Sequence, residues 1–146
     1  MFDRVLVPTD GTTSSNHAVQ AAASFVRLGA TLTLFYAVPQ YRSHYYAEGV
    51  SFAWPSEKEY LTVSLENAKT LLARAKASIK RKGVKVATAQ AFSDSPAAAI
   101  VAAAEKTKAD VIVMASHGRR GLTKLLLGSE TQKVLALTKL PVLVVR

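Results

Sequence analysis

The feature that most constrains the fold of this chain is the alternation of strand-like and helix-like segments along its length. Short apolar runs indicate strands, whereas longer stretches with apolar residues three and four positions apart indicate helices. Strands separated by helices pair in parallel, and helices then cover both faces of the sheet. Five strands are predicted, at residues 5–7, 32–38, 84–90, 111–114 and 142–145.

Four helices are predicted between these strands. The first covers about residues 14–28 and stops at Gly29, and the second ends at Gly83, because glycine is common just beyond a helix C-terminus. The third begins at Ser95-Pro96, an N-cap followed by proline at the first helical position, and the fourth begins at Ser129. The second helix carries an apolar stripe with spacings of four and three, formed by Leu61, Leu65, Ala68, Leu72, Ala75 and Ile79.

These elements predict a single α/β domain over residues 1–146, with an open five-stranded parallel sheet and four helices on both faces. We expect the strand order 3-2-1-4-5, with the weaker and more polar third strand at an edge. The chain has no cysteine, and its three histidines lack metal-ligand spacing, so we expect neither a disulfide nor a metal site. It shows no signal peptide and no apolar run of about 18 residues. We therefore expect a cytoplasmic protein with no membrane partner.

The net charge of +9 is concentrated near the second helix. One interpretation is a nucleic-acid-binding face. The favoured interpretation is a solvated helix that begins with Glu57 and Glu59 and ends with residues 80–82, because this polarity complements the helix dipole. No aromatic residues interleave with the basic ones to stack on bases. The cluster consists of Lys69, Arg74, Lys76, Lys80, Arg81, Lys82 and Lys85.

A candidate ligand site follows from where the strands end. Ligands of open parallel sheets bind beyond the carboxyl ends of the strands, where residues 8–11, Val38 and the segment 114–129 should meet. Asp10 is an acceptor for amino or hydroxyl groups, although it could instead cap the first helix or close its turn. Val38 offers an apolar wall.

The segment 114–129 is a glycine-containing loop between a strand and a helix N-terminus, which is a natural anion site. The glycines at positions 118 and 128 would let bare backbone N–H groups approach phosphate oxygens, and Arg119 would add charge. Ser129 could instead be an N-cap that forms a capping box with Gln132. Neither a P-loop nor a G-x-G-x-x-G motif after the first strand is present, so phosphates would be held by this late loop.

Taken together, these motifs resemble the universal stress protein family across nearly the whole chain. The matching pieces are residues 7–11, 116–122, 126–129 and 141–145. The family's ATP-binding branch carries G-x₂-G-x₉-G-[S/T]. Gly118 and, after nine intervening residues, Gly128-Ser129 fit this pattern, whereas Ala115 replaces the first glycine.

The resemblance implies a Rossmann-like, adenine nucleotide alpha hydrolase-like fold that binds ATP, with Mg or Mn as an accompanying ion. By analogy with the family, Pro8, Thr9, Asp10 and Val38 would contact the base side, and Met114 and Ala115 the ribose. Gly118, Arg119, Gly128, Ser129, Glu130 and Thr131 would face the phosphates, Glu130 through its backbone. The family also suggests a homodimer, and the apolar last strand, Val142–Val145, would offer an edge for pairing with a second copy.

The residues predict binding rather than catalysis. ATP hydrolysis needs a residue that positions water and usually a metal ion, and His117 and Asp10 are few candidates for these roles. Ser116 and His117 are neighbours whose side chains would normally point apart, so they do not indicate a Ser-His-Asp arrangement. We therefore expect a regulatory stress-response module with at most slow hydrolysis and no catalytic residue. A nucleotide-free dimeric protein that binds a partner, with Ala115 marking a lost site, is one alternative, and a basic nucleic-acid binder is another. The aromatic segment 40–56 could be a lid or a cover for the sheet edge.

Overall fold

Strands and helices alternate throughout the computed structural model, which describes residues 2–42, 55–117 and 127–146. The five strands form one parallel sheet in the order β3-β2-β1-β4-β5, so the predicted fold class and strand order are confirmed. Most of the aromatic segment 40–56, interpreted as a lid or a cover for the sheet edge, and part of the glycine loop lie outside the described residues. The elements are β1 (Arg4–Pro8), α1 (Thr13–Phe25), β2 (Thr31–Val38), α2 (Glu57–Ser78), β3 (Lys85–Phe92), α3 (Pro96–Lys106), β4 (Val111–Ala115), α4 (Ser129–Leu137) and β5 (Val142–Val145).

Alternate residues of the central strands enter two separate cores, because successive side chains of a strand point to opposite faces. Val5 and Val7 of β1 pack with α1 and α2 on one face, whereas Leu6 packs with α3 and α4 on the other. β4 is buried at all five positions, while β3 and β5 are largely half-exposed. The predicted edge position of β3 follows from this arrangement and is confirmed.

Two helices end earlier than their sequence predicts. α1 ends at Phe25 rather than at residue 28, and α2 ends at Ser78 rather than next to Gly83. Gly29 and Gly83 instead lie in the following turns, with φ of +85° and +83°, and the Gly29 N–H donates to Gly83 O at 2.7 Å. The positive φ explains the glycines, because other residues are strained there.

Helix N-termini follow the capping rules with one exception. The Ser95 side chain caps α3, and Ser56 and Glu59 form a capping box at the start of α2. At α4 the N-cap is Gly128, which has no side chain to offer, and Gln132 Nε2 donates to Leu127 O instead of completing a capping box. The interpretation of Ser129 as an N-cap is therefore wrong. None of the helices within the described ranges is long and apolar enough to cross a membrane.

Candidate functional site

A cavity of about 860 Å³ lies at the carboxyl edge of the sheet, where the ends of β1, β2 and β4 meet the N-terminus of α4. This volume is within the range of small-molecule sites. It gathers residues that are more than 100 positions apart in the chain. Nine of the twelve predicted site residues line it: Pro8, Thr9, Asp10, Met114, Ala115, Gly128, Ser129, Glu130 and Thr131.

Of the other three predicted residues, Val38 alone lies in the described part of the chain. Val38 is 2% exposed and packs in the protein, so its side chain does not form the expected wall. Gly118 and Arg119 lie outside the described residues. The apolar wall from β2 is formed by other residues of the same strand end, Phe35 and Tyr36.

Sequence reasoning also missed a fourth segment of the cavity. Asp94, between β3 and α3, lines it together with Pro96 and Ile100 from the first turns of α3. The signal was available, because β3 is parallel to its neighbours and its carboxyl end must lie at the same edge. Ser15, Ala37, Pro39, His117 and Lys133 complete the lining.

The turn after β1 is held by hydroxyl and carboxylate groups. Asp10 Oδ1 accepts hydrogen bonds from the Thr12 N–H at 3.0 Å and from Thr12 Oγ1 at 2.6 Å. Thr12 is the N-cap of α1, and its Oγ1 accepts from the Ser15 N–H at 3.3 Å. Thr9 Oγ1 and Ser15 Oγ are 3.1 Å apart. Asp10 thus closes the turn and also lines the cavity, while the capping role belongs to Thr12.

Gly128 has a different role from the predicted one. Its N–H donates to Ser116 O at 2.7 Å, so this amide is used by the protein and is not available to a phosphate. A Cβ at this position would lie 2.8 Å from the same oxygen. Glycine is therefore required by the close approach of the α4 N-terminus to the end of β4.

The N-terminus of α4 supplies the positive end of the site. Ser129, Glu130 and Thr131 all line the cavity, and no capping side chain covers their N–H groups among the described residues. The first N–H groups of a helix have no intrahelical acceptor and favour an anion. The buried Thr131 Oγ1 donates to Ala115 O at 2.9 Å, which fixes this turn against β4.

The Glu130 carboxylate is bonded to protein groups on both of its oxygens. Oε2 accepts from the Ala97 N–H in the first turn of α3 at 3.1 Å, and Oε1 lies 2.9 Å from Lys133 Nζ. Because the Lys133 ammonium compensates the charge of this carboxylate, Glu130 repels an anion at the α4 N-terminus less than an unpaired carboxylate would. The two helix N-termini that border the cavity are joined through this side chain.

Ser116 and His117 do not point apart as predicted. Ser116 Oγ lies 2.9 Å from His117 Nδ1, and the Ser116 backbone is held by Val145 O and by Gly128 N–H. His117 Nε2 is buried and has no hydrogen-bond partner among the described residues. Unpaired buried polar atoms are uncommon in folded proteins. His117 therefore has unused hydrogen-bonding capacity beside the cavity.

The backbone at Ala115 is unstrained, and the acidic residues of the described ranges form no metal site. Lys108 is the one non-glycine residue with positive φ in the described ranges, so Ala115 adopts an unstrained strand conformation. The alanine methyl group therefore does not distort the backbone. Within these ranges, the His, Asp and Glu side chains form no group of three that could hold a metal ion.

The comparisons with known proteins agree with this geometry. The model of the universal stress protein family matches residues 1–146. The universal stress protein in the QAH/OAS sulfhydrylase 3′ region of Thermus aquaticus is 37% identical over 153 residues, covering 100% of both chains. The solved structure of protein MJ0577, which is from Methanocaldococcus jannaschii, has a TM-score of 0.79 and 27% identity, covering 99% of this chain and 96% of that one. A solved universal stress protein in complex with cAMP has a TM-score of 0.62 and 25% identity, covering 99% and 97%. The chain therefore belongs to the universal stress protein family.

Proposed function

We propose that this protein binds an adenine nucleotide, with ATP as the first candidate, in the cavity at the carboxyl edge of the sheet. The observation that supports this most is the convergence of the β1 turn, the β2 end and the α4 N-terminus on one cavity of about 860 Å³. It is also supported by the related protein solved with cAMP. The bound state would act as a regulatory signal in a stress response.

The cavity has two chemically different ends, and the proposal assigns one part of the nucleotide to each. Phe35 and Tyr36 would pack against the base, and Asp10 would accept hydrogen bonds from amino or hydroxyl groups. The N–H groups of the first turn of α4 and the Lys133 ammonium would face the phosphates. The proposed contacts remain Pro8, Thr9, Asp10, Val38, Met114, Ala115, Gly118, Arg119, Gly128, Ser129, Glu130 and Thr131. Because the Val38 side chain is buried, Val38 would contribute only through its backbone, and Gly128 would allow the close approach of α4 rather than donate its N–H.

An accompanying Mg or Mn ion fits this assignment only as part of the nucleotide complex. Glu130 already binds Ala97 N–H and Lys133, and the described residues offer no ligand cluster of their own. Mg²⁺ commonly keeps water ligands and binds nucleotide phosphates directly. We propose binding with at most slow hydrolysis, and we assign no catalytic residue.

Ligand-dependent melting tests the proposal. A ligand at 100 times its Kd stabilises the native state by about 2.7 kcal/mol, which raises Tm by roughly 5–10 °C for a chain of this size. We expect this rise with millimolar ATP and magnesium, and a smaller one with GTP. An unchanged Tm would count against nucleotide binding.

A pair of lysine variants tests where the phosphates lie. Lys133 lines the cavity, whereas Lys139 is exposed beyond the C-terminus of α4. Lys133→Glu should weaken ATP binding by about tenfold, and Lys139→Glu should leave it unchanged. Equal ATP affinities in isothermal titration calorimetry would contradict the assigned orientation.

A nucleotide-free protein that binds a partner is the second candidate, and Ala115 is the observation that favours it. Ala115 lines the cavity at the position where the family motif has glycine. If its methyl group blocks the ribose, wild type should fail to bind ATP and Ala115→Gly should gain affinity. Equal binding by both proteins would exclude this alternative.

We also propose a homodimer formed through β5 and a cytoplasmic location. β5 is an edge strand of the described sheet, and its Leu143 is 43% exposed. An exposed apolar edge is suited to pairing with an identical strand. Analytical ultracentrifugation should show a dimer for wild type and a monomer for Leu143→Asp. A wild-type monomer at micromolar concentration would refute this part.

A further inference from the structure

We propose that the end of the sheet opposite the cavity docks on an anionic lipid surface. The docking surface consists of four lysines, Lys76, Lys80, Lys82 and Lys85, around the exposed apolar side chains Phe25 and Leu28. We call it the basic rim. It lies at the amino ends of β2 and β3, and the nucleotide cavity lies at their carboxyl ends.

Two turns join to form the basic rim. The Gly29 N–H in the α1–β2 turn donates to Gly83 O in the α2–β3 turn at 2.7 Å. Leu28 Cδ2 lies 3.0 Å from the position that a Cβ on Gly83 would occupy. The Leu28 side chain therefore covers the turn that carries Lys82.

Arg81 ties the same two segments together. Its guanidinium donates to Ala23 O at 2.8 Å and also to Ser24 O, both in the last turn of α1. This bonding explains one residue of the basic cluster as a helix C-terminal cap. It also places the end of α1, with Phe25, directly beside the segment 80–83.

Lys76 lies in the last turn of α2 and Lys80 follows it closely, but Lys82 and Lys85 are not explained by this helix. α2 ends at Ser78, so Lys82 and Lys85 lie beyond the last turn, where the helix dipole has little effect. Lys80 Nζ donates to Ala77 O, but no acidic partner is found for any of the four lysines in the described ranges. The neighbouring carboxylate, Asp3, is already paired with Arg27 at 2.6 Å.

The apolar side chains favour a lipid surface over a nucleic acid. Leu28 is 65% exposed beside the turn at Gly83, and Phe25 is 38% exposed at the end of α1. Lysines near apolar side chains are typical of proteins that lie on anionic membranes, where the apolar groups enter the headgroup boundary. Leu28, the more exposed of the two, offers no stacking surface to a base, and the four cations of the basic rim are lysines rather than the bidentate arginines that read nucleic acids. Docking of this kind needs no spanning helix, so the proposal revises the sequence-based expectation of no membrane partner.

Vesicle binding tests the proposal. We expect the full chain to cosediment with phosphatidylcholine vesicles that contain about 30% phosphatidylserine, and not with phosphatidylcholine alone. Each lysine near such a surface contributes about fivefold in affinity, so Lys82→Gln with Lys85→Gln should weaken binding about 25-fold. Lys58→Gln, in the first turn of α2, with Lys69→Gln, in its middle, is the matched control and should change nothing.

A label reports the contact directly. The chain has no cysteine, so Leu28→Cys provides a single attachment point for an environment-sensitive dye. Its emission should shift to the blue on anionic vesicles, whereas the same dye at Lys58→Cys should not respond. Matching melting curves establish that each variant is folded.

Three results would overturn the proposal. One is no binding of wild type to anionic vesicles at about 0.1 M salt. Another is equal loss in the rim and control variants. The third is binding to duplex DNA or RNA in preference to vesicles, with no response of the Leu28 label, which would assign the basic rim to nucleic acid. None of these depends on whether the cavity binds a nucleotide.

Discussion

Gly128→Ala tests how the helix that borders the cavity is held. The added Cβ would lie 2.8 Å from Ser116 O, a backbone atom of a buried residue, so either the strand end or the helix must move. The native φ of −59° suits alanine, and the effect is therefore steric. Overpacking of this kind costs about 1–3 kcal/mol, and stretching the Gly128 N–H to Ser116 O bond about 1 kcal/mol more.

A total of about 2–4 kcal/mol predicts that Tm falls by roughly 5–15 °C. The first turn of α4 should also move, so ATP affinity should fall beyond what the lower stability explains. Differential scanning calorimetry and isothermal titration calorimetry measure the two effects separately.

Gly29→Ala is the matched control, because it replaces a glycine at the opposite end of the sheet. Nothing lies within 4 Å of a Cβ there, but its φ of +85° makes alanine unfavourable by about 1–2 kcal/mol. It should lower Tm without changing ATP affinity. An unchanged Tm for Gly128→Ala, or the same change in ATP affinity for both variants, would refute the reasoning.

Three further variants test single interactions. Thr131→Val keeps the side-chain shape but removes the hydroxyl that donates to Ala115 O at 2.9 Å. It should lower the free energy of unfolding, measured by urea denaturation, by about 1–2 kcal/mol. Thr131→Ser retains a hydroxyl and should lose less stability. Arg81→Met removes the cap of α1 and should cost about 1 kcal/mol in the same assay, whereas an unchanged midpoint would show that the guanidinium bonds contribute nothing. The Ser56 N–H and hydroxyl hold the pKa of Glu59 below its usual value of 4.5. The pKa of Glu59 is lower in the folded state than in the unfolded state, so ionised Glu59 stabilises the fold above the unfolded-state pKa. This stabilisation is lost as the pH falls through the folded-state pKa. The urea midpoint of wild type should therefore be higher than that of Glu59→Gln near neutral pH, and the two midpoints should converge in acid.

The candidate site was predictable in outline because it depends on topology. The carboxyl ends of parallel strands lie at one edge of the sheet. Because β1 and β4 pair in parallel, the segments that follow them lie close together regardless of their side chains. Individual atoms were less predictable. Whether the Gly128 N–H faces a ligand or Ser116 O depends on a backbone approach between residues twelve positions apart. The contact of Ser116 with His117 likewise follows from the bond of Ser116 N–H to β5.

The amino-acid sequence by itself determined which segments become strands and helices, because periodicity and capping are local properties. The apolar run of β4 and the Ser95 cap of α3 show this. Tertiary structure decided where helices stop and which amides remain for a ligand. Residues 79–83 turn back after Ser78, where Arg81 contacts the last turn of α1 and Gly83 contacts Gly29 in the turn that follows it. Such partners come from distant parts of the chain, and no local pattern records them.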